Sequence, residues 1–393
     1  MTRAPAPARF KLDQGSPATA GHGWAGLRRD LVAALPGWVV ARVVVLGALV
    51  VAHAVAAKVD LRLPGYSGRL DRGLLAWDGR WYLDIANDGY DALPDESLRF
   101  FPLYPLLGRI LSPLAAGHTG AALLAVSNLA ALALGALVHR LCLTETDDPD
   151  LARRAAWLVA LVPPFFVMVM GYSEPLALAL AVGCFLALRR RRWGWAAVAG
   201  LLAGFVRPVG ILLVVPAAVE AARGLRAARP GERVQRVLAV VSPAVGTAAF
   251  LAWVAVGRGD AFLPFEVQNR PHLRGGFSDP VSTLVRSIAR LAEGQLGTNG
   301  IHLPWVVVVV ALTVVACRRW PAAYGAYAAV SVLVALCARN WGSFERYGFG
   351  AFPVVLALAS VTAAAWAEKA TLAICAAGMA CYAAAALLLY YVP

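Results

Sequence analysis

The feature that most constrains this chain is a series of uncharged apolar stretches, many close to the length that crosses a bilayer. A helix needs about 20 apolar residues to span the hydrocarbon core. Such stretches begin near Leu31 and recur to the C-terminal end. They read as about eleven spans, over 34–57, 120–142, 155–172, 174–189, 193–206, 208–222, 237–257, 301–317, 321–338, 348–366 and 370–392. The runs are continuous and rich in Ala, Leu and Val, where barrel strands would alternate. Only 15% of residues are charged and 60% are hydrophobic, against about 25% charged in soluble domains. That balance excludes a soluble globular enzyme, a disordered chain, a collagen-like chain and a small disulfide scaffold. The expected fold is all-α: one polytopic transmembrane helical bundle over residues 31–393, behind a polar tail over 1–30.

Net charge is +13. In a soluble protein this would suggest nucleic acid. Here it fits basic loops on the cytoplasmic face, so no nucleic-acid partner is expected. With the N-terminus placed inside, 20 of the 36 basic residues fall on the inner side. The run Arg189-Arg190-Arg191-Arg192 fixes that choice most firmly. The six cysteines fall in or beside apolar segments without a C-x-x-C, so neither disulfides nor zinc are expected. The first apolar stretch lacks a short apolar core followed by a cleavage site. It is expected to stay in the chain as a span.

Two outer segments are too long to be mere connectors, residues 58–118 and 258–300. The first concentrates acids: Asp60, Asp71, Asp78, Asp84, Asp88, Asp91, Asp95 and Glu96. Within it, Trp77, Trp81 and Ile85 recur at helical spacing, with Asp84 and Asp88 on another face and Gly89 as a stop. A short helix on the membrane surface is expected, its aromatics toward lipid or protein. The run Phe100-Phe101-Pro102-Leu103-Tyr104-Pro105 then re-enters the bilayer interface. Asp78 sits between Trp77 and Trp81-Tyr82. Desolvation among aromatics strengthens a carboxylate as a base, which suits proton removal from a hydroxyl. The alternative is an Asp capping a helix that starts at Gly79.

Arg207, in Val206-Arg207-Pro208-Val209-Gly210, lies between two apolar runs. A charge there is costly and marks function by default, and a lipid-linked phosphate is its natural partner. Pro208 and Gly210 favour a broken helix lining a cavity. Arg346 sits at an outer edge, available to a phosphate, to Glu345 or to another acid. Glu174, at the outer turn before Pro175, holds Arg207, touches substrate or is simply a helix N-terminal carboxylate. Asp148-Pro149-Asp150 spells a metal-binding pattern, but on the inner face, so it reads as a polar turn. The outer-loop histidines lack ligand spacing, and no metal site is assigned.

Together these residues resemble a known family: the PIG-V type, or GPI mannosyltransferase II, with its bacterial relatives. These are integral membrane glycosyltransferases of the GT-C class. The resemblance rests on Trp77-Asp78, Tyr82, Ile85-Ala86, Gly89-Tyr90, Phe100 to Pro105, Tyr172-Ser173-Glu174-Pro175, Arg207-Pro208-x-Gly210 and Arg346-Tyr347. It implies a mannose donor on a polyprenyl phosphate, an extracytoplasmic site and inversion at the sugar carbon. Asp78 carries over as the base, and Arg207 and Arg346 as donor-phosphate contacts. Trp77, Trp81, Tyr82, Asp84, Tyr104 and Glu174 are the expected substrate contacts. No cofactor is required by such a displacement, although some of the class use a divalent cation. Residues 264–277 keep only a trace of the family's aromatic, Asn-rich segment. The Ala-, Arg- and Leu-heavy composition points to a high-GC bacterium. A bacterial glycolipid, polysaccharide or protein acceptor is therefore expected before a GPI precursor, which is a eukaryotic lipid. The competing class is a lipid or solute transporter or flippase, whose hallmarks are charge pairs spread over several spans and repeat symmetry. A non-catalytic membrane scaffold is third.

Overall fold

The computed structural model describes residues 24–58, 70–295, 299–388 and 391–393. Among these residues the chain is helical throughout, with one isolated bridge, Phe277 to Ala338, and no strand. It opens with the long α1 (Trp24–Lys58) and, after the short α2 (Asp78–Asp88) and α3 (Leu103–Leu111), continues with the long α4 (Thr119–Thr146). Then come α5 (Pro149–Leu161), α6 (Glu174–Arg189), α7 (Trp193–Val206), α8 (Val214–Ala222) and α9 (Pro230–Arg258). The last third holds α10 (Leu263–Gln268), α11 (Pro280–Ala292), α12 (Leu303–Arg319) and α13 (Ala322–Leu336). It ends with α14 (Phe344–Gly350), α15 (Pro353–Val361) and α16 (Ala365–Leu387).

Five of these are long and apolar enough to cross a membrane: α1, α4, α9, α12 with its lead-in from Gly300, and α16. Several other apolar segments are shorter because proline breaks them. Pro163-Pro164 ends α5 in a 3-10 turn, so 155–172 is not one helix. Pro353 likewise divides the expected 348–366 into α14 and α15. At Arg207 the backbone is extended (φ −152°, ψ 146°), as the residue before proline prefers, and a 3-10 turn over Pro208–Leu213 follows.

The expected polar tail over 1–30 needs correction. Residues 1–23 lie outside the described residues, but 24–30 are the first two turns of α1. Asp30 is buried there, its carboxylate 2.8 Å from His139 Nδ1 and paired with Arg140 on α4. That contact draws the helix start inward. Asp148 caps α5, accepting from the backbone N–H groups of Asp150 and Leu151, which is the polar-turn role.

The tightest crossing joins α7 to α9. A Cβ on Gly204 would sit 2.1 Å from the Pro243 carbonyl oxygen, and one on Gly246 would sit 2.0 Å from that of Leu201. Glycine here lets two backbones touch, the usual device where helices pack without help from water. This crossing fixes the end of α7, and with it Arg207.

The described part of the first long segment, residues 70–118, folds mainly onto the protein. The helix expected around Trp81 is α2, and it stops at Gly89, whose φ is +80°. Trp81 stacks on Phe100 with ring centroids 5.8 Å apart, and Tyr82 meets Tyr104 edge-on at 4.8 Å. Phe101 packs on Phe250 of α9 at 4.6 Å. Phe100, Phe101 and Tyr104 are thus buried in protein rather than laid in an interface. In the second long segment, residues 274–278 pair with residues 337–340. Ser278 N–H donates to Cys337 O, Arg339 N–H to Gly276 O and Asn340 N–H to Arg274 O. The Asn340 amide adds bonds to Pro271 O and Leu273 O.

Candidate active site

The helix that carries Asp78 begins under strain. Trp77 precedes it with φ +57°, a left-handed value that an L-residue adopts only when its surroundings insist. The indole Nε1–H donates to Ala386 O at 2.9 Å, and the Asp78 N–H donates to the Tyr172 hydroxyl at 3.2 Å. Held this way, Asp78 is the first residue of α2 and its side chain makes no cap. The carboxylate instead accepts from Arg346 Nη1 at 3.2 Å. The capping alternative is therefore not what Asp78 does here.

Arg346 arrives by a similar device. Ser343, with φ +58°, starts α14, and Arg346 lies in its first turn. The same Nη1 is 3.1 Å from Glu174 Oε1. That oxygen is also 2.7 Å from Arg207 Nη1. Arg207 in turn donates to Ser173 Oγ at 3.1 Å, and Tyr82 OH meets the same Oγ at 2.6 Å. Four residues drawn from 78, 174, 207 and 346 thus form one chain of alternating charge.

The chain is incompletely bonded. Neither Glu174 oxygen receives a well-directed hydrogen bond, so its close approach to both guanidiniums is ionic contact only. The Arg346 Nε–H is buried with no acceptor. Buried polar atoms in folded proteins are nearly always paired, so each such orphan calls for an explanation. The cluster lines a cavity of about 1420 Å³, larger than most small-molecule sites. Asp78 is the most open of the four, its side chain 26% exposed against 6% for Arg346. A group in the cavity therefore meets that carboxylate readily.

The cavity lining is of two sorts. Leu178, Val206, Ile211, Leu212, Leu333 and Val334 are apolar lining, and Leu333 and Val334 are also half exposed on α13. Arg72, Arg80, Arg99, His272, Arg274 and Asn340 add polar groups to the lining.

Not every expected contact is there. Trp77 and Trp81 line the cavity, as do Asp78, Glu174, Arg207 and Arg346. Tyr82, Tyr104 and Asp84 do not. Tyr82 is buried and acts through Ser173 on Arg207. Tyr104 OH is turned away to Leu123 O at 2.9 Å. Asp84 pairs with Arg80 one turn earlier on the surface of α2. These three lie beside or outside the lining of this cavity. Glu345 does not pair with Arg346; it is fully buried and bonded to His302 at 2.7 Å.

Sequence reasoning missed Arg274 and Tyr347. The Arg274 guanidinium lies 3.9 Å from the centre of the Tyr347 ring, and that of Arg346 lies 5.2 Å from the same centre. The adjacent Arg346-Tyr347 pair was a signal for the tyrosine. Nothing local to Arg274 marked it. Comparison with protein-family models and with curated proteins found no match to this chain.

Proposed function

We propose that the protein is a polytopic GT-C-like glycosyltransferase. It moves a sugar, mannose on the resemblance, from a polyprenyl-phosphate donor to a lipid, glycan or protein acceptor. In this reading the described helices and broken helices make about eleven passes, with the N-terminus cytoplasmic and the cavity extracytoplasmic. The observation that carries the reading is the single cavity shared by an accessible carboxylate, two guanidiniums and an apolar wall.

Each part has a use. The apolar wall suits a prenyl chain, with Leu333 and Val334 open to lipid. Arg207 and Arg346 suit the donor phosphate, since a planar guanidinium bonds phosphate oxygens in pairs. Asp78 takes the proton of the acceptor hydroxyl. The acceptor oxygen then attacks the anomeric carbon, the bond from that carbon to the phosphate oxygen breaks, and its electron pair leaves on the phosphate. One displacement inverts the centre. The guanidiniums stabilise the charge where it grows. Before donor arrives, Arg346 occupies Asp78; phosphate binding competes for that guanidinium and frees the base.

A transporter is less well supported, because the two acidic side chains that line the cavity, Asp78 and Glu174, share one cluster with Arg207 and Arg346 rather than tracing a path. The test is transfer of sugar from polyprenyl-phosphate-mannose to extracted envelope lipids, glycans and proteins by the purified protein. Asp78→Asn should lower turnover by roughly 100- to 10,000-fold while the protein stays folded. Wild-type turnover in that variant would remove Asp78 as the base. Donor carried across vesicles without transfer would favour the flippase.

A further inference from the structure

We infer that α11 lies in the membrane interface with its apolar side in the lipid, and that it anchors the cavity-lining stretch 271–277 to the bilayer. The partner is a phospholipid surface, whatever reaction the cavity supports.

α11 is amphipathic. Val281, Leu284, Val285, Ile288, Leu291 and Ala292 share one side at helical spacing, and Thr283, Arg286, Ser287 and Arg290 share the other. Asp279 caps the helix, accepting from Ser282 N–H at 2.7 Å, and Gly294, with φ +75°, follows its end. On a globular protein a surface helix turns its apolar side to the core. α2 does so, burying Tyr82, Ile85 and Ala86. α11 does the reverse. Thr283 and Ser287 are 2% and 6% exposed, while Val281, Val285 and Ile288 are 67%, 60% and 52% exposed. Specific bonds hold it this way round. Thr283 Oγ1–H donates to Ser278 Oγ at 2.8 Å, and the Asn299 amide donates to Ser287 Oγ and to Arg339 O, both at 3.2 Å. Turning the apolar side inward would break them.

The neighbouring helix indicates what covers the exposed side. α11 packs on Gly300–His302, the lead-in to the α12 span. Val307, Val308 and Val314 of that span are exposed as well, and exposed apolar side chains on a membrane-length helix meet lipid. The end of a span sits at the membrane boundary, so a helix packed there lies at that level. Arg286 and Arg290 are exposed beside the apolar stripe, and no acid falls between Asp279 and Glu293. A stripe of this kind fits acyl chains, and the arginines fit the lipid phosphates above them. Ser278 Oγ accepts from Thr283 and, at 2.8 Å, from Arg286 Nη2. It thereby ties α11 to the stretch paired with 337–340. Arg274, Phe277 and Asn340 of that pairing line the cavity, so the bilayer holds part of the lining through α11.

The test is nitroxide accessibility of the full-length protein in vesicles of phosphatidylethanolamine and phosphatidylglycerol. Single labels are placed through Val285→Cys, Ile288→Cys and Arg290→Cys, with Cys317, Cys337 and Cys381 replaced by Ser. Labels at 285 and 288 should favour oxygen over a water-soluble nickel chelate and read about 5–10 Å into the headgroup–acyl boundary. The label at 290 should favour the chelate. Chelate access at 285 and 288 would put the helix in water and overturn the inference. Poor access of both reagents would overturn it too, because a second copy or another part of the chain then covers the face. Should the cysteine-replaced protein not fold, hydroxyl-radical footprinting of the unaltered protein in the same vesicles decides: Val285 and Ile288 should stay unoxidised, and their oxidation would count against lipid contact. Anchoring is read from amide exchange over 274–278. Val285→Asp with Ile288→Asp should speed it by at least about tenfold and leave α9 unchanged; exchange at the wild-type rate would remove the anchoring role.

Discussion

Two ionic clusters sit at opposite ends of α6, and they are built differently. At its C-terminal end, Arg189 bonds Glu145 through Nε at 2.7 Å and Nη2 at 3.0 Å. Its Nη1 reaches both Glu220 oxygens at 3.1 and 3.2 Å, and Tyr324 OH adds a bond to Glu145. At the N-terminal end, Glu174 has two near guanidiniums and no directed hydrogen bond, while Arg346 keeps a donor idle. The helix between them has 16 residues, a length of about 24 Å. One cluster is closed, fully bonded and away from the cavity. The other is open, under-bonded and lines it. The first holds α4, α6, α8 and α13 together; the second has bonding capacity left for something else. A charged cluster in a membrane-length bundle is thus classified by its unfilled valences rather than by its burial.

The largest effect should come from breaking this contrast at its closed end. Arg189→Met leaves Glu145 buried without its cation and Glu220 with only Arg223 at 3.6 Å, and breaking a buried pair typically costs about 3–5 kcal/mol. A marked fall in melting temperature in detergent is expected. Arg346→Met at the open end should change the melting temperature much less, because Arg207 still faces Glu174 and the cavity solvates Asp78. It should instead remove donor binding. Equal destabilisation by the two substitutions would erase the distinction.

A second effect concerns protons at the open end. Tyr347 lies just ahead of the 348–366 segment. Burial works against its ionisation, but the guanidiniums of Arg274, Arg346 and Arg207 overcome it and lower its pKa to about 7. Asp78 and Glu174 face the same guanidiniums from α2 and α6. An anion bound there would cancel the positive field and return Tyr347 toward its ordinary value. Binding then favours the protonated phenol, so donor affinity should be flat below about 7 and fall as pH rises above it, by up to tenfold per unit. The phosphodiester does not titrate in this range. Near-ultraviolet tyrosinate absorbance should show the group directly, and Tyr347→Phe should flatten the affinity profile. An unchanged profile in that variant would assign the pH response elsewhere.

Much of this arrangement is legible in the sequence, and what is not has a physical reason. The break at Arg207-Pro208, the short helix ending at Gly89 and the cap at Asp148 are all local, set by proline, glycine and side-chain–backbone bonding within a few residues. The cluster itself was legible only as separate charges at improbable depths. Asp30 illustrates the limit: it reads as part of a polar tail because its partner, His139, lies 109 positions away. Arg274 was hidden for the same reason, since the 270–278 stretch is placed by bonds to 337–340. The aromatic run from Phe100 was assigned to an interface because hydropathy cannot distinguish lipid from a neighbouring helix such as α9.

The smallest effect tests whether proximity in sequence to the cluster matters once geometry is known. Asp84 lies six residues from Asp78 and carries the same charge, but it does not line the cavity and pairs with Arg80 at 3.2 Å in a half-exposed pair. Pairs of that kind contribute about 0–1 kcal/mol. Asp84→Asn should therefore leave the melting temperature and donor affinity near wild type, and transfer with them. A loss of transfer comparable to that of Asp78→Asn would mean that α2 turns on binding substrate, bringing its other face to the cavity. The closed and open clusters would then differ in mobility as well as in bonding.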